Sequence, residues 1–175
     1  MKTYKILVLG DFGVGKTSLI RRYVLDEFSD DYRATIGVHL YKHEDTLADA
    51  DPPRPVSLVV WDIEGAPMPD ERTRRYLVGA SGTVIVGDSS RPDPFAAMEE
   101  TAAMVEAALP GRPICFALNK RDLVSGHDPE RTSEMSRRYD APVHETSALT
   151  GDRVSPMFRA LARAILSLGL RGGAR

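Results

Sequence analysis

Residues 10–17 read Gly10-Asp11-Phe12-Gly13-Val14-Gly15-Lys16-Thr17, which is a glycine, four residues, and then Gly-Lys-Thr. Glycines at this spacing let the backbone curl so that successive N–H groups point into one concavity. Such a concavity at the start of a helix binds phosphate oxygens. We therefore predict that the segment from Asp11 to Ser18 binds a polyphosphate, with Lys16 at the terminal phosphates and the Thr17 hydroxyl on Mg²⁺.

The flanking sequence supports this interpretation over an ordinary glycine-rich turn. Tyr4–Leu9 is an apolar run typical of a buried strand, and Ser18–Val24 has the pattern of a helix. A strand, a glycine-rich loop and a helix in this order are the context that a phosphate-binding loop requires.

Composition excludes several other classes of protein. A chain of 175 residues with a net charge of −2 is typical of one globular domain, residues 1–175, without broad attraction to nucleic acid or anionic membranes. The single cysteine, Cys115, lies in an apolar run and is predicted to be a buried core residue. The sequence has no signal peptide, no glycine at position 2 and no cysteine in its tail, which predicts a cytoplasmic protein without a direct membrane anchor. We also expect a monomer.

Strand and helix patterns alternate along the rest of the chain, which predicts an α/β fold with a mostly parallel sheet covered on both faces. The proline-rich segment 48–55 is interpreted as a hairpin connection outside the strands. Two polar segments, 26–37 and 62–68, are predicted to be exposed functional loops. The last helix is predicted over 152–168, with one apolar face formed by Met157, Phe158, Leu161, Ile165 and Leu168.

The sequence Asn119-Lys120-Arg121-Asp122, directly after a buried strand, selects the base. A carboxylate at Asp122 can accept two N–H bonds from the edge of guanine, whereas adenine lacks that pair of donors. Lys120 would lay its aliphatic stem over the base. The backbone N–H groups of Ser147 and Ala148, after a later strand, would bind the guanine oxygen.

Taken together, these motifs resemble those of a small GTPase of the Ras superfamily, and most of all its Rab branch, from Tyr4 to Leu168. The resemblance implies a P-loop NTPase G domain: a six-stranded, mostly parallel sheet with one antiparallel strand and five helices. It also implies a bound guanine nucleotide, GTP or GDP, with Mg²⁺ held by Thr17, by Thr35 and, through water, by Asp62. The Thr35 and Gly65 groups would close on the γ-phosphate, and Phe28 would pack edge-on against the base. Further nucleotide contacts are implied at Tyr32, Asn119, Leu123 and Leu149.

Two residues depart from the pattern of that family. The family has a glutamine after the second-switch glycine, where it orients the attacking water, but here Ala66 and then Pro67 follow Gly65. Phe12 stands where the family has a small residue, and its ring would crowd the γ-phosphate side of the loop. Both departures predict slow hydrolysis. An arginine within the chain could supply the missing positive charge, with Arg33 the first candidate and Arg72, Arg74 and Arg75 the others.

We therefore predict a guanine-nucleotide switch whose catalytic groups are Lys16, Thr35, Gly65 and in addition Arg33. Effectors, exchange factors and GTPase-activating proteins would bind through residues 28–40 and 62–77. Two alternatives stay open. One is a GTP-binding interaction module that does not hydrolyse GTP, and the other is an ATP-using P-loop kinase. The histidines show no metal-ligand spacing and are assigned no role.

Overall fold

The computed structural model describes residues 2–29, 37–47, 53–63, 71–126 and 128–172, and within those ranges it contains six strands and five α-helices. The strands are β1 (Thr3–Leu9), β2 (Val38–Leu47), β3 (Arg54–Ile63), β4 (Gly82–Asp88), β5 (Ile114–Asn119) and β6 (Val143–Glu145). The helices are α1 (Lys16–Leu25), α2 (Glu71–Leu77), α3 (Pro94–Ala108), α4 (Pro129–Tyr139) and α5 (Val154–Gly172), with a 3₁₀ turn at Arg121–Leu123.

The strands form a single sheet in the order β2-β3-β1-β4-β5-β6. The β2–β3 pair is antiparallel and every other pair is parallel, so the predicted fold class is confirmed. Because β1, β3, β4 and β5 run in the same direction, their carboxyl ends meet at one edge of the sheet. The described parts of the predicted phosphate, metal and base motifs lie at or just after one of these ends or that of β6, and this edge therefore carries the candidate site.

Both faces of the sheet are covered, as the apolar strands predict. Side chains alternate along β1, so that Ile6 and Val8 join the core beneath α1 and α5, whereas Leu7 and Leu9 join the core beneath α2, α3 and α4. Cys115 is fully buried in the first of these cores, as predicted, and its burial raises the pKa of its thiol far above the ordinary range. None of the helices described is long and apolar enough to cross a membrane.

Three element boundaries differ from those predicted. Asp62 and Ile63, predicted to begin an exposed loop, are the last residues of β3 and are buried, because the pairing with β2 continues until Ile63 lies opposite Val38. Residues Arg54 and Pro55 belong to β3, and Pro55 lies opposite Thr46 of β2. A proline is tolerated there because the pairing of β3 with β1 begins only at Ser57, so the ladder on that side does not need its missing N–H. The last helix starts at Val154, and Leu168 is 38% exposed, so this residue does not extend the buried face of α5 as predicted.

The start of α4 provides a test of local stability. The Asp128 carboxylate accepts hydrogen bonds from the N–H groups of Glu130 at 3.1 Å and Arg131 at 3.0 Å. Replacing Asp128 with alanine leaves both donors without this cap and is expected to lower the free energy of unfolding by about 1 kcal/mol. Urea unfolding would measure the change, with Glu134→Ala in the exposed middle of α4 as the control. An equal loss in both variants would contradict the capping role.

Candidate nucleotide-binding site

The glycine-rich loop connects β1 to α1 and depends on two glycines for its shape. Gly10 and Gly15 have φ values of 145° and 96°, which side-chain-bearing residues rarely adopt. A Cβ on Gly10 would lie 2.3 Å from the Val86 carbonyl oxygen, and one on Gly15 would lie 2.3 Å from the Asn119 amide nitrogen. The loop therefore fits closely against the ends of β4 and β5, and alanine at either position would displace it.

Lys16, the first residue of α1, is only 7% exposed. Its ammonium group donates to the Gly10 carbonyl at 2.9 Å and to the Asp11 carbonyl at 2.8 Å. Burial lowers the pKa of Lys16 to about 8, even though the neighbouring carboxylates of Asp62 and Asp11 raise it. A buried cation that has lost its hydration gains strongly from an anion placed beside it, which suits a phosphate-binding group.

A hydroxyl and a carboxylate meet next to this lysine. The Thr17 hydroxyl donates to Asp62 Oδ2 at 2.7 Å, and Asp62 is fully buried at the end of β3. Hard oxygen donors of this kind are what Mg²⁺ prefers, and Mg²⁺ is usually held by few protein groups together with phosphate oxygens. Thr17 and Asp62 therefore fit a magnesium ion that is shared with a nucleotide.

Asn119, at the end of β5, joins the phosphate loop to the predicted base-binding loop. It is 1% exposed, and its amide nitrogen donates to the Val14 carbonyl at 2.9 Å. Its side-chain oxygen accepts from the Ala148 N–H at 3.2 Å. The Ala148 N–H, predicted to bind the guanine oxygen, thus already has a partner, and a base would have to share it.

The residues predicted to select the base lie together around the 3₁₀ turn. The Ser147 hydroxyl donates to the Asp122 carboxylate, which remains exposed at the surface. The Arg22 guanidinium of α1 donates to the Ala148 carbonyl at 2.9 Å and to the Leu149 carbonyl at 2.8 Å, so it fixes the loop that bears them. Leu123 and Leu149 are 63% and 47% exposed, leaving apolar surface on which a planar base could pack.

Several predicted residues cannot be placed in this way. Tyr32, Arg33, Thr35, Gly65, Ala66 and Pro67 lie outside the described residues, as does the side chain of Arg72. Phe28 is half-buried and packs against the core beneath α1 and α5. Arg74 and Arg75 are exposed on α2, and Phe12 is 48% exposed.

Asp88 and Arg91, two charged residues that the sequence motifs did not single out, lie at the same edge of the sheet. Asp88 ends β4, is 4% exposed, and accepts a 2.6 Å hydrogen bond from Lys120. Burial alone raises the pKa of Asp88, but hydrogen bonds from Lys120 and Ser90 outweigh it and hold the pKa below its ordinary value. Arg91 follows in the next turn and contacts the phosphate loop. The available signal was their position, since Asp88 is the last residue of a buried strand and Arg91 comes three residues after it.

The sheet order, the glycine-rich loop and the lysine at the start of α1 define the class of P-loop nucleotide-binding α/β proteins. The Ras family model matches residues 5–167, and the chain therefore belongs to the Ras family. Ras-related protein Rab-32 of Sus scrofa is 36% identical over 172 residues, which cover 94% of this chain and 75% of the relative. Ras-related protein Rab7 of Drosophila melanogaster is 31% identical, covering 94% of this chain and 81% of the relative.

Ras-related protein Rab-4B of Homo sapiens is also 31% identical, over 94% of this chain and 76% of the relative. These similarities confirm the predicted Rab-like character, and the chain is a GTP-binding small GTPase of the switch type. Proteins of this family work with regulators and effectors, and the same holds here at the level of the family.

Proposed function

We propose that this protein is a guanine-nucleotide switch that binds GTP and GDP with Mg²⁺ and hydrolyses GTP slowly. The observation that carries the proposal is the Thr17–Asp62 pair, 2.7 Å apart, next to a buried Lys16 on the edge that also bears Asp122 and Ser147. Groups for a metal, for phosphates and for guanine are thus within one site.

Different residues of the chain would bind the phosphates, the metal ion and the guanine base. Lys16 would neutralise phosphate charge, Thr17 and Asp62 would hold the metal, and Asp122 would select guanine. When bound, GTP and Mg²⁺ supply the γ-phosphoryl group that water attacks and the cation that offsets its charge. Thr35 and Gly65 would sense that phosphate, so that residues 28–40 and 62–77 present a different surface to partner proteins after its loss.

Slow turnover follows from the residue after Gly65. A methyl group at Ala66 cannot orient water, and the ring of Pro67 removes a backbone donor. Glu64 is adjacent, but its carboxylate would repel the γ-phosphate unless Mg²⁺ screened it. The same observation favours a second candidate function, a GTP-binding interaction module that does not turn over.

Single-turnover hydrolysis of preloaded GTP tests the enzyme directly. We expect a rate above that of GTP in buffer, and the Ala66→Gln variant is expected to raise it about tenfold by restoring a water-orienting side chain. The matched control is Ala103→Gln, which places the same side chain on the exposed side of α3 and should leave the rate unchanged. A wild-type rate equal to that in buffer, even with cell extract added, would favour the non-hydrolysing module. An unchanged rate in Ala66→Gln would mean that Phe12 or another feature of the site geometry, and not Ala66, causes the slow turnover.

A further inference from the structure

Arg91 reaches from the turn between β4 and α3 to the outside of the phosphate loop. The Nη1 atom of its guanidinium donates to Asp11 Oδ2, and the Nη2 atom donates to the Phe12 carbonyl. The second carboxylate oxygen of Asp11 accepts from the Phe12 N–H at 2.7 Å. A single arginine therefore holds both the side chain and the backbone at one corner of the loop.

The planar peptide bond turns this contact into a constraint on the next residue. In a trans peptide, the C=O of Phe12 and the N–H of Gly13 point in opposite directions from the same plane. While Arg91 holds the carbonyl, the Gly13 N–H points away from Arg91. A hydrogen bond from a charged donor also polarises the peptide and makes this N–H a stronger donor.

Asn119 makes the same type of contact two peptides further along the loop. Its side-chain amide holds the Val14 carbonyl at 2.9 Å, which directs the N–H of Gly15 in the same manner. With the two bonds from Lys16, the carbonyls of Gly10, Asp11, Phe12 and Val14 all have side-chain donors. A carbonyl held on one side of its peptide turns the N–H of the following residue to the other side, as for Gly13 and Gly15, whereas the Phe12 N–H is already used by the Asp11 carboxylate.

Arg91 also lies near Asp88, the carboxylate that accepts a hydrogen bond from Lys120. Its Nε lies 3.9 Å from Asp88 Oδ2, and that same oxygen accepts the 2.6 Å bond from Lys120. The charges Asp11, Arg91, Asp88 and Lys120 thus alternate in sign from the phosphate loop to the base motif. This arrangement restricts where the guanidinium can go.

We propose that Arg91 is a positioning residue for nucleotide binding: it pre-organises the Phe12–Gly13 peptide so that the Gly13 N–H donates to a phosphate, and it thereby slows nucleotide release. This role rests on the proposed function, because it requires a nucleotide in the loop. Preorganised donors bind more tightly since no ordering cost remains at the moment of binding.

Release of GDP carrying a fluorescent ribose label tests the proposal on the full chain. Arg91→Ala is expected to speed release about tenfold, and Asp11→Asn somewhat less, with a double variant well short of the product of the two effects. Arg91→Lys keeps the charge but not the two-pronged contact, so its release should stay faster than that of the wild type. The matched control is Arg112→Ala, an exposed arginine near the amino-terminal end of β5, which should release GDP as the wild type does.

An amide NMR signal separates positioning from a general loss of stability. In protein labelled with ¹⁵N-glycine, the Gly13 amide should shift downfield on GDP binding in the wild type and much less in Arg91→Ala. The Gly15 amide, whose peptide is held by Asn119, should shift equally in both. Wild-type release and an unchanged Gly13 shift in Arg91→Ala would overturn the proposal, as would multiplicative effects of Arg91→Ala and Asp11→Asn. A wild-type protein that binds no GDP would overturn the proposed function itself, which is a different result.

Discussion

Replacing Asp122 with asparagine is expected to weaken binding of both GTP and GDP by at least about a hundredfold. The guanine edge presents two N–H donors, and a carboxylate is the side chain that can accept both. Asparagine keeps one acceptor and turns an NH₂ group towards the second donor, which leaves two donors facing each other. A xanthine nucleotide, which carries a carbonyl in place of the guanine amino group, should bind the variant more tightly than the wild type.

The fold should not change in this variant. Asparagine still has an oxygen that can accept the Ser147 hydroxyl, and residue 122 lies at the surface. Asp140→Asn is the matched control, because that aspartate is exposed at the end of α4 with a φ of 46° that asparagine tolerates. Titration of labelled nucleotides with and without competing ATP measures the effect. Equal binding of ATP and GTP by the wild type would favour the ATP-using kinase and contradict the assignment of Asp122.

Local patterns were sufficient to predict the sheet and to place several residues of the candidate site at one edge of it. Apolar runs predicted the strands because burial on both faces leaves few polar positions in them. The strand–loop–helix order placed Lys16 and Thr17, and parallel strand ends then required Asp62, Asn119 and Asp122 to lie at one edge. These three residues were predictable because each lies at the carboxyl end of a strand or within three residues of it, and parallel strands bring those ends to one edge.

Arg91 was not predictable in the same way, although it also follows a strand. Its role depends on which partner its long side chain meets, and Asp11 and the Phe12 carbonyl lie on a different element. The arginines predicted to compensate for Ala66 all lie in residues 28–40 and 62–77, because in the family that these motifs resemble the charge on the γ-phosphate is met from there. Which loop a long side chain contacts depends on the three-dimensional arrangement of the loops at this edge of the sheet. The spacing of residues along the chain does not predict that contact.

Replacing Lys16 with methionine is expected to have the second large effect, and its two readouts should move in opposite directions. Loss of the ammonium group should weaken GTP binding by about a hundredfold, since charge-assisted bonds to phosphate are among the strongest that a side chain makes. Without nucleotide, however, the variant should be at least as stable as the wild type. Lys16 is a charge at 7% exposure, and a methionine of similar length removes the cost of keeping that charge out of water.

Thermal unfolding with and without GTP and Mg²⁺ measures both effects in one protein. At a ligand concentration about a hundred times the dissociation constant, the wild type should gain about 2.7 kcal/mol, and the variant should lose most of that gain. Lys42→Met on β2 is the matched control, because its side chain is 64% exposed and pairs with Glu44 away from the loop. A marked drop in the nucleotide-free melting temperature of Lys16→Met would mean that its bonds to the Gly10 and Asp11 carbonyls stabilise the fold. Burial of Lys16 would then be explained by its contribution to fold stability. It would not be a case in which a phosphate-binding residue lowers the stability of the nucleotide-free protein.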